Sequence, residues 1–353
     1  MMTLRQFARR PKTVGATAAW YLSDLGQARG RQDLFTRQSP QTLKTLREHA
    51  MVESAVSSNR IEGVEVDRAR IGTIVFGKAL LRDRGEEEVR GYRNALQLIH
   101  ERGRDLPVSE ETIRGLHRVT RGEIWDAGVY KDRDGDIIER FPDGRERIRF
   151  RTVPAARTPA CMGELVELWQ ECLDQQWVHP LLALGAFNLD LLCIHPFRDG
   201  NGRVSRLLLL LQAYHLGYEV GRYISLERTI EENKERYYET LERSSQGWHE
   251  SGHDPWPYLS FILYILKTAY AEFERRVGEV KSPRGVKTER IRSAVDAFAA
   301  EFTLADLERA CPGVSRDLIR RVLRGLRAAG DIECLGRGPG AQWRKGGTTP
   351  KKG

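Results

Sequence analysis

Cysteine is scarce in this sequence, and its spacing matches none of the common cysteine-dependent sites. The 353 residues include five cysteines, and no two of them form a Cys-x-x-Cys pair. We therefore expect neither a zinc site nor a disulfide framework. The five are Cys161, Cys172, Cys193, Cys311 and Cys334.

Long apolar runs are also lacking. The apolar segments at residues 181–194 and 207–211 are shorter than the roughly 20 residues that a membrane-spanning helix needs, and Asn188 and Asp190 interrupt the first of them. Basic side chains near the N-terminus are not followed by the apolar segment of a secretory signal. The sequence therefore predicts a cytoplasmic protein without a membrane partner.

The composition that is present is typical of a globular protein. Hydrophobic residues make up 40% and charged residues 30% of a chain long enough for two or three domains. The formal net charge of +8 is a weak pointer to acidic partners.

One stretch, residues 195–206, reads His-Pro-Phe-Arg-Asp-Gly-Asn-Gly-Arg-Val-Ser-Arg and lies between the two apolar segments. Pro196 cannot continue a helix interior, so the preceding helix should end just before it. Gly200 and Gly202 permit a tight loop with positive φ values, and Arg203 should open the next helix. Such a loop at a helix N-terminus points backbone N–H groups into an anion site.

The same stretch carries the groups that phosphoryl or nucleotidyl transfer uses. His195 is a candidate base and Asp199 a candidate Mg²⁺ ligand. The amide of Asn201 and the guanidinium groups of Arg203 and Arg206 would face the charge of the phosphates. This combination predicts a nucleotide-processing site.

Residues 195–206 resemble the signature of the Fic (filamentation induced by cAMP) family, His-Pro-Phe-x-Asp/Glu-Gly-Asn-Gly-Arg-x-x-Arg, at every fixed position. The resemblance covers about residues 40–275 and implies a mainly α-helical (all-α) Fic core with a β-hairpin flap. It implies a protein adenylyltransferase, which transfers AMP from ATP to a Ser, Thr or Tyr hydroxyl of a target protein and releases pyrophosphate.

The resemblance also implies a role for individual residues. His195 would accept the proton of the attacking hydroxyl, a task that imidazole can perform near neutral pH. Asp199 would hold Mg²⁺ between the α- and β-phosphates. Tyr238, the second residue of a Tyr-Tyr pair, would line the adenine pocket. The residues that would contact the nucleotide are Gly200, Asn201, Gly202, Arg203, Arg206 and Tyr238.

An N-terminal segment, residues 58–63, fits the pattern Ser/Thr-x-x-x-Glu-Gly/Asn at the end of a helix predicted from about Pro40. In Fic proteins this pattern is similar to the autoinhibitory motif. The resemblance implies that the carboxylate of Glu62 pairs with Arg206, removing a cation that the γ-phosphate needs and placing negative charge in its position.

A β-hairpin is predicted upstream of the signature, with arms at residues 136–141 and 146–153 around the turn Pro142-Asp143-Gly144. On its second arm Ile148 and Phe150 alternate with arginines. The hairpin is open to two interpretations. It is either a surface hairpin with a solvated basic face, or the Fic flap, on which a target protein would dock by strand pairing.

The C-terminal pattern predicts a winged helix-turn-helix. Thr303 caps a short helix, Ser315 caps a second helix over residues 317–329, and a Gly-rich hairpin comes last. DNA is one expected partner of this region, and dimerisation or target docking is the other. The arginines that would meet DNA are Arg316, Arg320, Arg321, Arg324, Arg327, Arg337 and Arg344.

The expected organisation has three parts. A helical region with the inhibitory helix occupies residues 1–105, the Fic core 106–279 and the winged helix 286–346. The partners expected are ATP with Mg²⁺, a target protein on the 136–153 flap, and DNA, with a homodimer as a further option. Two other functions stay open: a hydrolase that removes AMP from a modified protein, with Glu62 aligning water, and a DNA-binding regulator whose core senses nucleotide.

Overall fold

The computed structural model describes residues 2–9, 13–36, 40–77, 80–140, 143–280, 286–298, 301–311, 314–336, 338 and 341–345. The described part is mainly helical, as predicted, and it divides into two compact units between Glu274 and Arg275. None of its helices combines the length and the hydropathy that crossing a bilayer requires.

In the described part of the first unit twelve α-helices begin, with one strand pair between the sixth and the seventh. The helices are α1 Thr3–Arg9, α2 Ala16–Thr36, α3 Pro40–Ile61, α4 Ile71–Phe76, α5 Arg84–Arg102, α6 Glu110–Arg121, α7 Thr158–Asp174, α8 Pro180–Ile194, α9 Asn201–His215, α10 Leu226–Glu232, α11 Lys234–Ser245 and α12 Trp256–Val280. The strands are β1 Ile137–Arg140 and β2 Glu146–Phe150.

Helices α8 and α9 form the centre of this unit, because nearly every residue of both is buried. A helix that is apolar around its whole circumference needs neighbours on all sides. The few polar residues on α8 are satisfied from those neighbours. Asn188 donates to the carbonyl of Ser205 at 2.7 Å and accepts from the hydroxyl of Tyr258 at 2.6 Å.

The carboxylate of Asp190 fixes α1 against α8. It accepts from the backbone N–H groups of Thr3 at 2.8 Å and Leu4 at 3.1 Å, and from the indole of Trp248 at 2.7 Å. Burial raises the pKa of Asp190 to about 6 in spite of these donors.

Two helix boundaries differ from the local residue pattern. The helical pattern of residues 16–25 stops before Gly26, yet helix α2 runs through Gly26 and Gly30. Glycine costs a helix about 1 kcal/mol relative to alanine, which tertiary packing can offset. Residues 228–244 have the pattern of one helix but belong to two, α10 and α11, because Asn233 leaves the helical conformation at φ −118° and ψ 31°.

The predicted hairpin is present as an antiparallel pair of β1 and β2 with a register shift between Ile137 and Ile138. Ile138 lies opposite Ile148, and both are about half exposed. Of the predicted turn, Pro142 lies outside the described residues.

The second unit contains helices α13 Val286–Ala297, α14 Leu304–Ala310 and α15 Arg316–Ala328. Strands β3 Phe302–Thr303, β4 Ile332–Cys334 and β5 Gln342–Lys345 form one antiparallel sheet in the order β3-β5-β4.

The two predicted caps in this unit are confirmed. The hydroxyl of Thr303 accepts from the N–H of Asp306, whose carboxylate accepts from the N–H of Thr303 in return. Ser315 caps α15 by accepting from the N–H of Leu318. Residues 281–285, Arg337 and the residues from Gly346 onward lie outside the described part, and the winged helix stays an interpretation.

Candidate active site

Residues 195–200 form a loop between α8 and α9 that begins and ends in the left-handed region. His195 has φ 53° and ψ 63°, and Gly200 has φ 84°. Glycine adopts a positive φ without steric cost, so the prediction for Gly200 is confirmed. Gly202 is different, because α9 starts at Asn201 rather than at Arg203 and Gly202 is therefore helical.

Hydrogen bonds along the loop fix its shape. The side chain of Asn201 accepts from the N–H of Phe197 at 2.8 Å and donates to its carbonyl at 2.7 Å. The N–H of Lys131 donates to the carbonyl of Pro196 at 2.8 Å. Asn201 thus closes the loop onto itself, and its predicted phosphate contact stays a prediction.

His195 is half-buried, and its environment keeps it neutral. Burial, with the nearby ammonium of Lys131, lowers its pKa to about 4. Its Nδ1 lies 3.3 Å from the carbonyl oxygen of Leu192, which can only accept, so the proton of the neutral ring belongs on Nδ1. Nε2 then carries a lone pair, and that is the atom a general base needs.

His117 of α6 packs against the loop and hydrogen-bonds to it. Its ring stacks on Phe197 with the centroids 3.8 Å apart. Nδ1 accepts from the N–H of Gly128 at 2.8 Å, so Nε2 donates to the carbonyl of Asp199 at 2.9 Å. Burial lowers the pKa of His117 to about 4, which preserves this pattern.

The carboxylate of Asp199 lies among three guanidinium groups. Arg121 Nη1 is 2.5 Å, Arg203 Nη2 3.3 Å and Arg84 Nη2 3.6 Å from its oxygens, and the N–H of Gly200 donates to it at 2.6 Å. Although burial opposes ionisation, Arg203 and Arg121 hold the pKa of Asp199 below its ordinary value. The side chain of Asp199 is therefore ionised at neutral pH.

Glu88 of α5 holds the same three guanidinium groups from the other side. Its carboxylate contacts Arg203 at 2.8 Å, Arg121 at 3.0 Å and Arg84 at 3.1 Å. Sequence reasoning missed Glu88 and Arg121. In the sequence, Glu88 is one of several acids near a helix start and Arg121 a cation at a helix end, which are ordinary surface patterns.

Arg206 is fully buried and bound by the end of α3. Its Nε donates to the hydroxyl of Ser58 at 2.9 Å, and Nη2 donates to the carbonyl of Ser58 at 2.9 Å and to Oε1 of Glu62 at 2.7 Å. Burial opposes the charge, but Glu62 together with Tyr237 and Tyr92 raises the pKa of Arg206 above its ordinary value. Nη1 is buried without a hydrogen-bond partner among the described residues.

The structure therefore brings Glu62 to Arg206, the pair that the sequence pattern implied. It also shows why Gly202 lies beside them, since a Cβ there would be 2.1 Å from Oε1 of Glu62. Position 202 has room for that carboxylate only in the absence of a side chain.

A cavity of about 320 Å³ lies between the loop, α11 and the hairpin. Its lining includes His195, Gly202 and Glu62 together with Tyr238, Arg149 and Glu242. The phenol of Tyr238 donates to the carbonyl of Ile61 at 3.2 Å, next to Glu62 in the chain. The predicted adenine contact of Tyr238 stays a prediction.

Two arginines on one face of the hairpin, Arg147 and Arg149, form ion pairs. Arg147 lies 2.8 Å from Glu139 and 2.8 Å from Glu242, and Arg149 lies 3.2 Å from Glu242. Arg149 also donates to the carbonyl of Tyr238 at 2.7 Å. Glu242 of α11 thus ties the hairpin to the wall of the cavity.

Comparison with known proteins places the central helices in one family. Residues 107–213 match the model of the Fic/DOC family. A protein from Nematostella vectensis named Protein adenylyltransferase Fic is 24% identical over 232 residues, which are 62% of this chain and 48% of that protein. The chain thus spans about half the length of the curated relative it matches.

Solved structures share the fold at low identity. A Fic family protein from Desulfovibrio desulfuricans is 22% identical with a TM-score of 0.60, covering 97% of this chain and 100% of its own. A Fic domain containing signaling protein from Bacteroides thetaiotaomicron is 22% identical with a TM-score of 0.61, covering 72% and 97%. Fic-1 from C. elegans is 20% identical with a TM-score of 0.57, covering 75% and 74%.

The matched family model, the shared fold and the complete signature at residues 195–206 agree, and this chain contains a Fic domain at residues 107–213.

Proposed function

We propose that this chain is a protein adenylyltransferase that moves AMP from ATP to a hydroxyl group of a protein. One observation supports the proposal above the others. The neutral His195, Gly202 at the start of α9 and Glu62 line a cavity of about 320 Å³, and Glu62 pairs there with the buried guanidinium of Arg206 at 2.7 Å. Such a cavity offers a base, backbone amides and a counter-charge to one bound phosphate chain.

The proposed reaction is a single displacement at the α-phosphorus of ATP. The hydroxyl oxygen of the target bonds to the α-phosphorus of ATP as the bond from that phosphorus to the α,β-bridging oxygen breaks, releasing pyrophosphate. The hydroxyl proton passes to His195, whose Nε2 carries the lone pair. Arg203 and Arg206 balance the negative charge that the departing pyrophosphate gains.

Asp199 fits a Mg²⁺ ion that arrives with the nucleotide. It is ionised, and its side chain is 53% exposed at the mouth of the loop. Mg²⁺ commonly takes one or two protein carboxylates and completes its shell with phosphate oxygens and water, so a single carboxylate suffices. The ion would supply charge neutralisation to the phosphates.

We propose further that Glu62 inhibits the enzyme. Its carboxylate occupies Arg206 and lies within the space that Gly202 leaves open. A triphosphate reaching for Arg206 would meet that negative charge at close range. The 1.5–3 kcal/mol typical of a charged hydrogen bond corresponds to about a ten- to hundredfold reduction in the available arginine.

The target protein would dock on the β1–β2 flap at residues 136–153. Ile138 and Ile148 expose 47% and 49% of their surface there, side by side on the strand pair. A two-stranded sheet also leaves a backbone edge to which an extended target segment can add by main-chain pairing.

Labelling with ATP that carries ³²P at the α-position tests the activity. We expect label to appear in protein, and to disappear with His195→Ala while nucleotide binding persists, because the imidazole acts in the reaction step. Normal labelling by His195→Ala would refute the mechanism.

Hydrolysis is the alternative reaction for the same site. It would remove AMP from a modified protein, with Glu62 aligning a water molecule. The position of Glu62 at the cavity that contains His195 favours it as a second candidate. If a protein labelled beforehand loses its label, and the loss requires Glu62, the chain is a hydrolase.

We also propose that the second unit is a winged helix-turn-helix that contacts DNA through α15. That helix buries Ile319, Val322, Leu323 and Leu326 and turns its opposite face to solvent. The exposed face carries Arg316, Arg320, Arg321, Arg324 and Arg327. An arginine-rich helix of this kind suits the phosphates along a major groove. The third candidate function is that of a DNA-binding regulator whose core senses nucleotide.

A further inference from the structure

The cluster around Asp199 contains more positive than negative charge. Three guanidinium groups, of Arg84, Arg121 and Arg203, contact two carboxylates, of Asp199 and Glu88. Glu88 therefore supplies half of the negative charge in the cluster. Only Asp199 and Arg203 belong to the residues 195–206 that define the signature.

The cluster has a buried part, whose side chains are held in place, and a solvent-exposed part, which a ligand can reach. The side chains of Arg203, Arg121 and Glu88 are 2%, 4% and 7% exposed, whereas those of Asp199 and Arg84 are 53% and 57% exposed. The buried groups bond to one another, so they keep their positions when solvent or a ligand enters. Asp199 and Arg84 are the pair that an incoming cation meets first.

A cation at Asp199 must share that carboxylate with the arginines. Every guanidinium beside Asp199 lowers the free-energy gain from a bound divalent cation, and every nearby carboxylate raises it. The geometry thus gives Arg84 and Glu88 opposite effects on the same carboxylate.

We propose that Glu88 and Arg84 are positioning residues that set how readily Asp199 takes Mg²⁺: Glu88 neutralises the buried arginines and raises the affinity, and Arg84 lowers it. The inference rests on the proposed function, since it concerns Mg²⁺ that enters with a nucleotide. Both residues lie on α5, outside the signature, so α5 would set the Mg²⁺ affinity of the site.

The experiment measures binding rather than turnover. Full-length protein carrying Glu62→Gly, which leaves Arg206 open, is mixed with the α,β-methylene analogue of ATP, and Mg²⁺ is titrated by calorimetry. We expect Arg84→Gln to lower the half-saturating Mg²⁺ concentration by about two- to fivefold, the range that solvent-screened ion pairs give. We expect Glu88→Gln, inside the buried cluster, to raise it by at least that factor.

Two further variants control for charge and structure. Arg84→Lys keeps the charge and should leave the Mg²⁺ dependence unchanged. Arg104→Gln removes a cation beyond the far end of the same helix, where Arg104 pairs with Glu219 at 3.0 Å, and should also change nothing. Thermal unfolding of Glu88→Gln checks that the buried cluster still folds, and Arg84→Gln tests the inference if it does not.

The outcomes separate the inference from the proposed function. Shifts of opposite sign for Arg84→Gln and Glu88→Gln support it. An unchanged or higher Mg²⁺ requirement in Arg84→Gln overturns it, as does weaker nucleotide binding by that variant at saturating Mg²⁺, which would make Arg84 a phosphate ligand. Failure of the Glu62→Gly parent itself to bind nucleotide would instead overturn the proposed function.

Discussion

A methyl group on Gly202 would lie 2.1 Å from Oε1 of Glu62, far inside van der Waals contact. Position 202 is helical, so alanine there meets no backbone strain and the conflict is one of space alone. The bare surface of Gly202 is what admits the Glu62 carboxylate to Arg206. In our account it also admits the terminal phosphate when Glu62 is absent.

The substitution Gly202→Ala tests whether the terminal phosphate uses the space beside Gly202 that the Glu62 carboxylate occupies. In a Glu62→Gly background we expect Gly202→Ala to lower AMP transfer by at least about tenfold, because misplacing a bound group by a fraction of an ångström is costly to a displacement reaction. Radioactive labelling measures the rate. Unimpaired transfer by the double variant would show that the phosphates lie elsewhere.

The depressed pKa of His195 predicts the pH dependence. A folded pKa of about 4 leaves the imidazole neutral throughout the range from pH 6 to 8, so a rate that depends on the base should be flat there and fall only as the pH approaches the folded pKa.

NMR titration of the His195 ring in the nucleotide-free protein tests this assignment directly. We expect a midpoint well below the ordinary 6.5, and a higher midpoint in Lys131→Met, which removes the nearby ammonium and keeps most of the bulk. A midpoint at or above 6.5 would contradict the proposed environment of His195.

His117 should make the fold sensitive to acid. Its pKa is about 4 in the folded protein and near 6.5 in an unfolded chain, so between these values the unfolded state binds the extra proton. The stability contributed by neutral His117 is therefore complete above pH 6.5 and is lost as the pH falls toward 4, at up to about 1.4 kcal/mol per pH unit.

Urea unfolding of the wild type and of His117→Gln at pH 6.5, 5.5 and 4.5 isolates this contribution. Glutamine can still donate and accept but does not titrate, so the difference in the free energy of unfolding should shrink as the pH falls. Parallel curves for the two proteins would assign the acid sensitivity to other groups.

DNA binding by α15 predicts a strong dependence on salt, because each neutralised phosphate releases condensed counterions. Arg320→Glu and Arg324→Glu should each weaken binding and flatten the plot of log affinity against log salt. Arg292→Glu, an exposed charge reversal on α13, is the matched control. Absence of binding by the wild type at low salt would leave docking to protein as the role of this unit.

The sequence predicted the parts of this structure that local chemistry determines. Pro196 ends α8, Gly200 takes a positive φ, and Ser315 and Thr303 cap the helices that follow them. Each of these depends on the residue and its immediate neighbours, so a single chain reveals them.

The sequence alone did not predict the contacts between segments that are distant along the chain. Glu88 and Arg121 join Asp199 from α5 and α6, and neither lies in a motif. The ion pairs of Arg147 and Arg149 with Glu242 were not predicted, because Glu242 lies 95 residues from Arg147 in the sequence. Glu62 was the exception, since a family pattern carried the information that spacing alone does not.

The measurement that bears most directly on this account is self-labelling with α-³²P ATP by wild type, Glu62→Gly and the double variant Glu62→Gly/Arg206→Ala. We expect Glu62→Gly to raise labelling by about ten- to a hundredfold, since it opens Arg206 and removes the opposing charge. The double variant should return to low labelling, because the released guanidinium is then gone. Labelling by Glu62→Gly that is equal to or lower than that of the wild type would contradict the account and make Glu62 a helix-end residue or the water-aligning group of a hydrolase.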